Sequence, residues 1–372
     1  MAIRGRVRAD RRTKNLIQRL QPNEIAIISH NGIDKLAAQG LIEARCKFVL
    51  NADTSLSTDY PNEGPLMLVE AGIPIIDNIG EEILSIPEGT EVIIKEDTVY
   101  VNDHLALTGD YLDDEKIKAS MGTTKNQLGE VLRSFVDNTL SYARDEIELV
   151  TQKIEMPPLK TSFQGKHVLI VVRGYNYKED LRAISSYIHE LHPVLVGVDG
   201  GADALMEFGY RPDIVIGDMD SVSDAALSQA KEIVVHAYAD GKAPGLERVN
   251  KMGLNAFVLP MAGTSEDVAM LLAYEKDASL IVAVGTHSNV LDFLEKGRRG
   301  MGSTFLVRLK VGSILIDAKG VSRLYRSRVK VRYLAQVIAA ALIPFTAVVV
   351  ISPPIRQLMK LVIIQFRMLL GI

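Results

Sequence analysis

The sequence predicts an α/β protein of several parts: a small amino-terminal α/β domain, a long connecting helix, a parallel-sheet domain and an apolar carboxyl-terminal helix that crosses a membrane. Three observations carry that expectation. Short apolar runs alternate with helix-period stretches in two separate regions, which is the signature of strands covered by helices. A 28-residue amphipathic pattern, Asn126 to Lys153, stands between those regions and stops at Pro157-Pro158. Finally, Tyr333 to Ile355 runs for 23 residues without a charge. At 372 residues and 47% hydrophobic content there is ample material for more than one core.

Residues 1–15 carry six Lys/Arg and one acid among the first 14 and read as a basic tail without the apolar stretch of a secretory signal. The amino-terminal domain is then expected over 16–125. Ile25-Ala26-Ile27-Ile28 reads as a strand, Gly32 to Glu43 as a helix, and Lys47 to Leu50 and Ile73 to Ile76 as further strands. Glu91 to Lys95 and Thr98 to Val101 flank a two-residue turn and predict a hairpin. His30, Asn51, Asp53 and Tyr60-Pro61-Asn62 fall in loops after these strands, either lining a pocket or serving as ordinary loop residues. The connecting helix is placed within 126–156. Its apolar stripe of Leu128, Val131, Leu132, Phe135, Val136 and Leu140 either packs on its own domain or forms a homodimer.

From 157 to 325 the pattern alternates strand and helix: His167 to Val172, a helix near Glu179 to Leu191, Val194 to Val198, a short helix from Ala202, then Asp213 to Ile216. A helix from Asp224, strands Glu232 to Val235 and Ala256 to Leu259, helix Ser265 to Tyr274 and strand Leu280 to Val284 complete it. Such alternation predicts a parallel sheet covered on both faces, whose ligands bind beyond the carboxyl ends of the strands. Five aspartates lie in the 22 residues from Asp199 to Asp220, and Asp199, Asp218 and Asp220 directly follow apolar runs. Carboxylates gathered at that edge suit Mg²⁺, which takes one or two of them plus phosphate oxygens and water. The competing reading is turn and helix-cap chemistry. Neither a P-loop nor a G-x-G-x-x-G is present. The run Gly297-Arg298-Arg299-Gly300-Met301-Gly302 is able either to cradle phosphate or to punctuate a hairpin, with strand-like Phe305 to Leu309 and Ser313 to Ile316 behind it.

Residues 323–372 carry eight Lys/Arg and no acid, whereas 15–322 carry a net charge of −17. An acidic body argues against nucleic acid as the main ligand, and basic ends suit an anionic membrane surface. The uncharged run would form a helix of roughly 34 Å, enough for a hydrocarbon core of about 30 Å. Arg323, Arg326, Arg328, Lys330 and Arg332 precede it, so the positive-inside rule leaves the main domains cytoplasmic, with 326–355 as a single-pass anchor in the cell membrane. Residues 356–372 read as an amphipathic tail lying in the interface, with a hairpin re-entry at Pro353-Pro354 as the open alternative. The lone Cys46 rules out an intrachain disulfide and fits a reducing compartment.

Asp199-Gly200-Gly201-Ala202, followed by Pro212-Asp213-Ile214-Val215-Ile216-Gly217-Asp218-Met219-Asp220-Ser221, resembles the catalytic domain of thiamin pyrophosphokinases, with its D-G-G-A and P-D-x-x-x-G-D-x-D-S blocks. His236-Ala237-Tyr238-Ala239-Asp240 is similar to the H-A-x-x-D element of archaeal hydroxymethylpterin pyrophosphokinases. Those families transfer a diphosphoryl group from ATP to an alcohol. The resemblance implies that Asp199, Asp218, Asp220 and Asp240 hold Mg²⁺ and the triphosphate and that Gly200 and Gly201 permit close backbone approach; Ser221 and Asp267 of the matching blocks are expected at the same nucleotide site, as are Arg298 and Arg299 if their glycine-rich run cradles phosphate. The departures are specific. Thr264-Ser265-Glu266-Asp267 has one acid fewer than the Thr-Asp pattern, and Ser288-Asn289-Val290-Leu291-Asp292-Phe293 lacks the arginine and histidine of G-G-R-L-D-H. About 30 residues separate Gly302 from the apolar run, too few for the β-sandwich that completes a thiamin site, so thiamin is a poor candidate.

Taken whole, the chain resembles the SteA-type cytokinetic ring proteins. That likeness implies a membrane-anchored nucleotide- or diphosphate-binding protein of the cell-division machinery, working beside a partner membrane protein. An active ATP-dependent pyrophosphokinase and a purely structural adaptor are the alternatives, since fold analogy does not fix function.

Overall fold

The computed structural model describes residues 2–101, 105–286, 290–295, 300–318 and 331–370. Met1–Ser322 form one compact unit and Arg323–Ile372 a second. The first unit holds both predicted sheets.

Ala2–Asp10 is a strand, β1, and not a basic tail. Ile3, Gly5 and Val7 alternate with Arg4, Arg6 and Arg8, so the cations occupy one face while the other turns toward the core. Along its length β1 changes neighbour. Ala2–Arg6 run antiparallel to β5 (Glu91–Lys95), and Val7–Asp10 run parallel to β2 (Ile25–Ile28). With β3 (Phe48–Asn51), β4 (Ile75–Asp77), β6 (Thr98–Val101), β7 (Leu105–Thr108) and β8 (Asp110–Leu112) they form an eight-stranded mixed sheet in the order β7-β6-β5-β1-β2-β3-β4-β8. Helices α1 (Thr13–Arg19), α2 (Lys35–Glu43) and α3 (Gly64–Glu70) pack on one face through Leu16, Ala38, Leu41 and Leu68. Asp34 caps α2 by accepting from the Ala37 amide.

The long helix starts earlier than its apolar stripe suggested. It runs as α4 from Asp114 to Asp145, with α5 (Glu148–Thr151) after it. Asp113 caps its amino end, and Asp114 and Glu115 complement the dipole there. Rather than linking separate bodies, it joins one. Ile117 enters the amino-terminal core, Phe135 meets Tyr60, Phe293 and Leu294, and Leu149 of the following α5 packs on the second core. The predicted boundary at 157 therefore divides no compact unit.

The second sheet is parallel throughout, in the order β13-β12-β11-β10-β9-β14-β15. Its strands are β9 (His167–Val171), β10 (Val194–Val198), β11 (Ile214–Gly217), β12 (Glu232–Ala237), β13 (Phe257–Pro260), β14 (Leu280–Val284) and β15 (Leu315–Asp317). One face is covered by α11 (Ser265–Glu275), whose side chains are buried nearly all round, and by α13 (Gly302–Val311). The other carries α6 (Tyr177–Ala183), α7 (Ser185–Leu191), α8 (Gly201–Glu207), α9 (Asp224–Gln229) and α10 (Pro244–Lys251). The remaining helix, α12, spans Val290–Glu295. Phe305 to Leu309, expected as a strand, is the middle of α13. Ser303, Val307 and Val311 fall four apart and are buried, a helical period that the Phe-Leu-Val-Arg-Leu string conceals.

In the second unit the expected single helix is broken at Ser352 into α14 (Val331–Ile351) and α15 (Pro353–Leu370). Pro353 and Pro354 explain the break, because proline begins a helix readily and cannot continue one. Among the described residues no single helix is long and apolar enough to cross a membrane. By length and composition alone, Ile338–Val348 and Pro353–Gln365, bent by 113°, together meet the requirement of a broken or re-entrant span. Ile343, Val350, Ile351, Leu358, Leu361 and Met368 are all exposed on this pair.

Candidate functional site

The carboxyl ends of β10 and β11 bring the two aspartate blocks together. Asp199 takes a left-handed backbone, φ 45°, and its amide donates to the Ile216 carbonyl at 2.9 Å. Its carboxylate then lies over Gly217, where a Cβ would sit 2.0 Å from Oδ1. Gly217 has φ 153°, so glycine is required there by backbone as well as by space. Asp199 Oδ1 accepts from the Met219 amide at 3.1 Å, and Asp218 Oδ1 accepts from the Asp220 amide at 3.0 Å. Met219 itself, at φ 66°, is buried among α9 and α10 side chains, which turns Asp218 and Asp220 outward to solvent. The D-G-G-A and G-D-x-D-S blocks are thus one interlocked corner.

Burial, followed by the neighbouring Asp218, pushes the Asp199 carboxyl up to about 7, with Asp220 adding to the repulsion. Removing negative charge from water costs free energy that the single Met219 amide offsets only in part, and that an opposite charge or a proton would offset further. The corner faces an open cleft of about 1380 Å³. One wall is formed by Arg173, Asp199, Gly200, Asp203, Asp218, Asp220, Ser221 and Arg248 of the parallel-sheet half, with Thr264, Ser265 and Glu266 at its end. The opposite wall comes from the amino-terminal half: Lys14, Asn15 and Gln18 of α1, and Gln39, Gly40 and Glu43 of α2.

Several expected site residues lie elsewhere. Asp240 is exposed, accepts from the Lys242 amide at 2.9 Å and does not line the cleft. Asp267 is fully buried as the N3 member of a capping box with Thr264, and its Oδ2 also accepts from Ser303 at 3.1 Å and Thr304 at 2.9 Å. That oxygen serves α11 and α13, and Asp267 does not line the cleft. A Cβ on Gly201 would meet the Val171 carbonyl oxygen at 1.8 Å, so this glycine lets α8 approach β9, not phosphate. Gly200 does border the cleft, beside Arg173 and the Ser221 carbonyl. Arg298 and Arg299 lie outside the described residues. Their flanking Gly300 and Gly302 are pressed against Tyr142 of α4, with Cβ positions 2.9 and 2.6 Å from that side chain, so both serve helix packing.

Sequence reasoning missed Arg173, Tyr177, Lys178, Asp203, Glu207 and Arg248. Arg173 bonds Glu207 and Tyr177, Arg248 bonds Asp224 and the Met219 and Val222 carbonyls, and Asp203 accepts from the Ser223 amide and hydroxyl. The position of Arg173, just after β9, was the available signal. Among the described residues no group of three or more His, Cys, Asp or Glu surrounds a single point as metal ligands. The residues fit Mg²⁺ in a more limited way, as one or two carboxylates of Asp199, Asp218 and Asp220 completed by phosphate oxygens and water.

No curated protein matches the sequence. The thiamine pyrophosphokinase of Bacillus subtilis is similar in structure, at 22% identity and a TM-score of 0.26, over 41% of this chain; the match spans 59% of that enzyme's length. Residues 319–370, which include both carboxyl-terminal helices, match the SteA-like C-terminal domain family, so the chain carries a SteA-like C-terminal domain.

Proposed function

We propose that this chain binds a nucleotide or another diphosphate-bearing ligand with Mg²⁺ in the cleft at the ends of β10 and β11, and that it does so as a membrane-associated component of the cell-division machinery. The observation that carries the binding half is the Asp199 carboxylate, held over Gly217 and forced against Asp218 at the edge of an open cleft. When bound, Mg²⁺ would neutralise those carboxylates and the phosphate chain, which is most of what phosphate chemistry asks of a site. Asp199 and Asp218 would hold the ion, with Asp220 within reach of its water shell. The Gly200 backbone and Ser221 would border the phosphates. The division role rests on the SteA-like C-terminal domain and on the apolar, bent α14–α15 pair, which supports attachment to a membrane beside a partner membrane protein.

The test is a thermal-shift and calorimetric titration of the purified full chain with ATP and GTP, with and without Mg²⁺. Binding that requires Mg²⁺ and is lost in Asp218→Asn/Asp220→Asn is expected. A double variant that binds as the parent does would sink the site. AMP released from Mg-ATP in the presence of an alcohol would identify a working pyrophosphokinase, whereas binding without AMP identifies a nucleotide receptor.

A further inference from the structure

The cations lining the cleft are not equivalent. Arg173 pairs with Glu207, Lys178 with Glu43 and Arg248 with Asp224. Lys14 is different: among the described residues its partner is a neutral group, the Ser221 hydroxyl, to which Nζ donates at 3.0 Å. That hydroxyl belongs to the aspartate corner, yet Lys14 comes from α1, some 207 positions earlier in the chain. A cation therefore reaches across the cleft to the residue that follows Asp220, and among the described residues it forms no ion pair there.

The backbone under Lys14 is fixed even though its side chain is exposed. Thr13 is buried and its hydroxyl shares a 2.8 Å hydrogen bond with His30 Nδ1, and Leu16 is fully buried in the amino-terminal core. The two halves are also fastened on this side by Lys178 to Glu43 at 2.7 Å and by Lys35 over the Tyr175 ring. Such a lysine has a defined origin and, at its tip, only a neutral hydrogen-bond partner among the described residues, the arrangement that lets a point charge pass to a phosphate group.

We propose that Lys14 is a phosphate-binding residue of the cleft, contributed by the amino-terminal wall, so that a Mg²⁺-bound polyphosphate is gripped from both halves and its binding clamps them together. The inference rests on the nucleotide reading above and adds which residue takes the phosphate and what binding does to the molecule. Without ligand, Ser221 holds the ammonium near the corner. With Mg²⁺ on the aspartates, a phosphate oxygen offers Lys14 a charge-assisted bond in place of the neutral one, and such bonds are roughly twice as strong. The gain is shared between the two walls, so ligand affinity and docking of the halves must rise together.

The experiment uses the full chain and inorganic tripolyphosphate, titrated calorimetrically with Mg²⁺ at two salt concentrations, with hydrogen exchange followed over Thr13–Arg19 and Lys35–Glu43. Lys14→Ala is expected to weaken binding about 10- to 100-fold, as loss of a charged hydrogen bond implies, to flatten the salt dependence and to abolish ligand-induced protection of those helices. Lys14→Arg should bind within about threefold of the parent and keep the protection. Lys118→Ala, on α4 and paired with Asp114, is the neutral control. Unchanged affinity and protection in Lys14→Ala, with the parent binding normally, overturn the role of Lys14 alone. Failure of the parent to bind tripolyphosphate with Mg²⁺ overturns the polyphosphate site itself and this inference with it. A merely structural lysine would lower the melting temperature of the ligand-free protein and leave the affinity where it was.

Discussion

Asp199 shows how a single side chain turns a corner of backbone into a charge problem. Its folded pKa of about 7 lies above the ordinary 3.8, so the unfolded chain gives up this proton first as pH rises. Ionising it in the fold is unfavourable, and the ligand-free protein loses stability between about pH 4 and 7, remaining at the lower level above that window. Asp199→Asn keeps the acceptor for the Met219 amide and discards the charge. We expect that variant to melt a few degrees higher than the parent at pH 8 and equally at pH 4, by scanning calorimetry without divalent ions. Adding Mg²⁺ at pH 8 should raise the parent and leave the variant unmoved. A parent curve flat from pH 4 to 8 would show that the carboxylate is not held as described.

The helices and strands were legible wherever one period dominated. β2, β3, β9, β10, β11 and β14 were found because their buried apolar runs admit no other reading, and the corner between β10 and β11 followed from where those runs stop. β1 was missed because counting arginines hid a period of two, and α13 because Phe305 to Leu309 is a short, mostly apolar run that reads like a strand while its Ser303, Thr304 and Val307 face a helix. Asp267 illustrates the same limit at a cap. An acid at N3 behind threonine is a capping box first, and only the packing of Ser303 and Thr304 reveals that α13 hangs on it as well. Asp267→Ala removes the shared acceptor of the Thr264 amide and the Ser303 and Thr304 hydroxyls and should cost about 2–4 kcal/mol in denaturant unfolding. Its folded fraction should bind Mg²⁺-dependent ligand as before, because this carboxylate is buried and does not line the cleft.

At the scale of the molecule the main surprise is how far α4 and the cleft bind the two sheets into one unit, with the remaining apolar surface concentrated in the carboxyl-terminal pair. No local pattern encodes that. Phe135 looks like any helix-face aromatic until Tyr60 and Phe293 arrive from opposite halves to meet it. The amphipathic pair makes a separate prediction. Removing 323–372 should move the protein from the membrane pellet to the supernatant on fractionation and leave Mg²⁺-dependent ligand binding within about twofold, since every residue lining the cleft precedes it. Equal pelleting of the shortened and full chains would end the idea of an anchor there.

β1 has a consequence for how the protein comes into being. Its first half needs Glu91–Lys95 and its second half needs Ile25–Ile28, so this strand is the seam of a sheet whose far side emerges from the ribosome some eighty residues after it. Until then Ile3, Gly5 and Val7 wait with an open edge, and the arginines interleaved with them discourage another nascent chain from pairing there. Clipping those residues would therefore not trim an appendage. It would part β7-β6-β5 from β2-β3-β4-β8 and set α1, which follows directly, adrift.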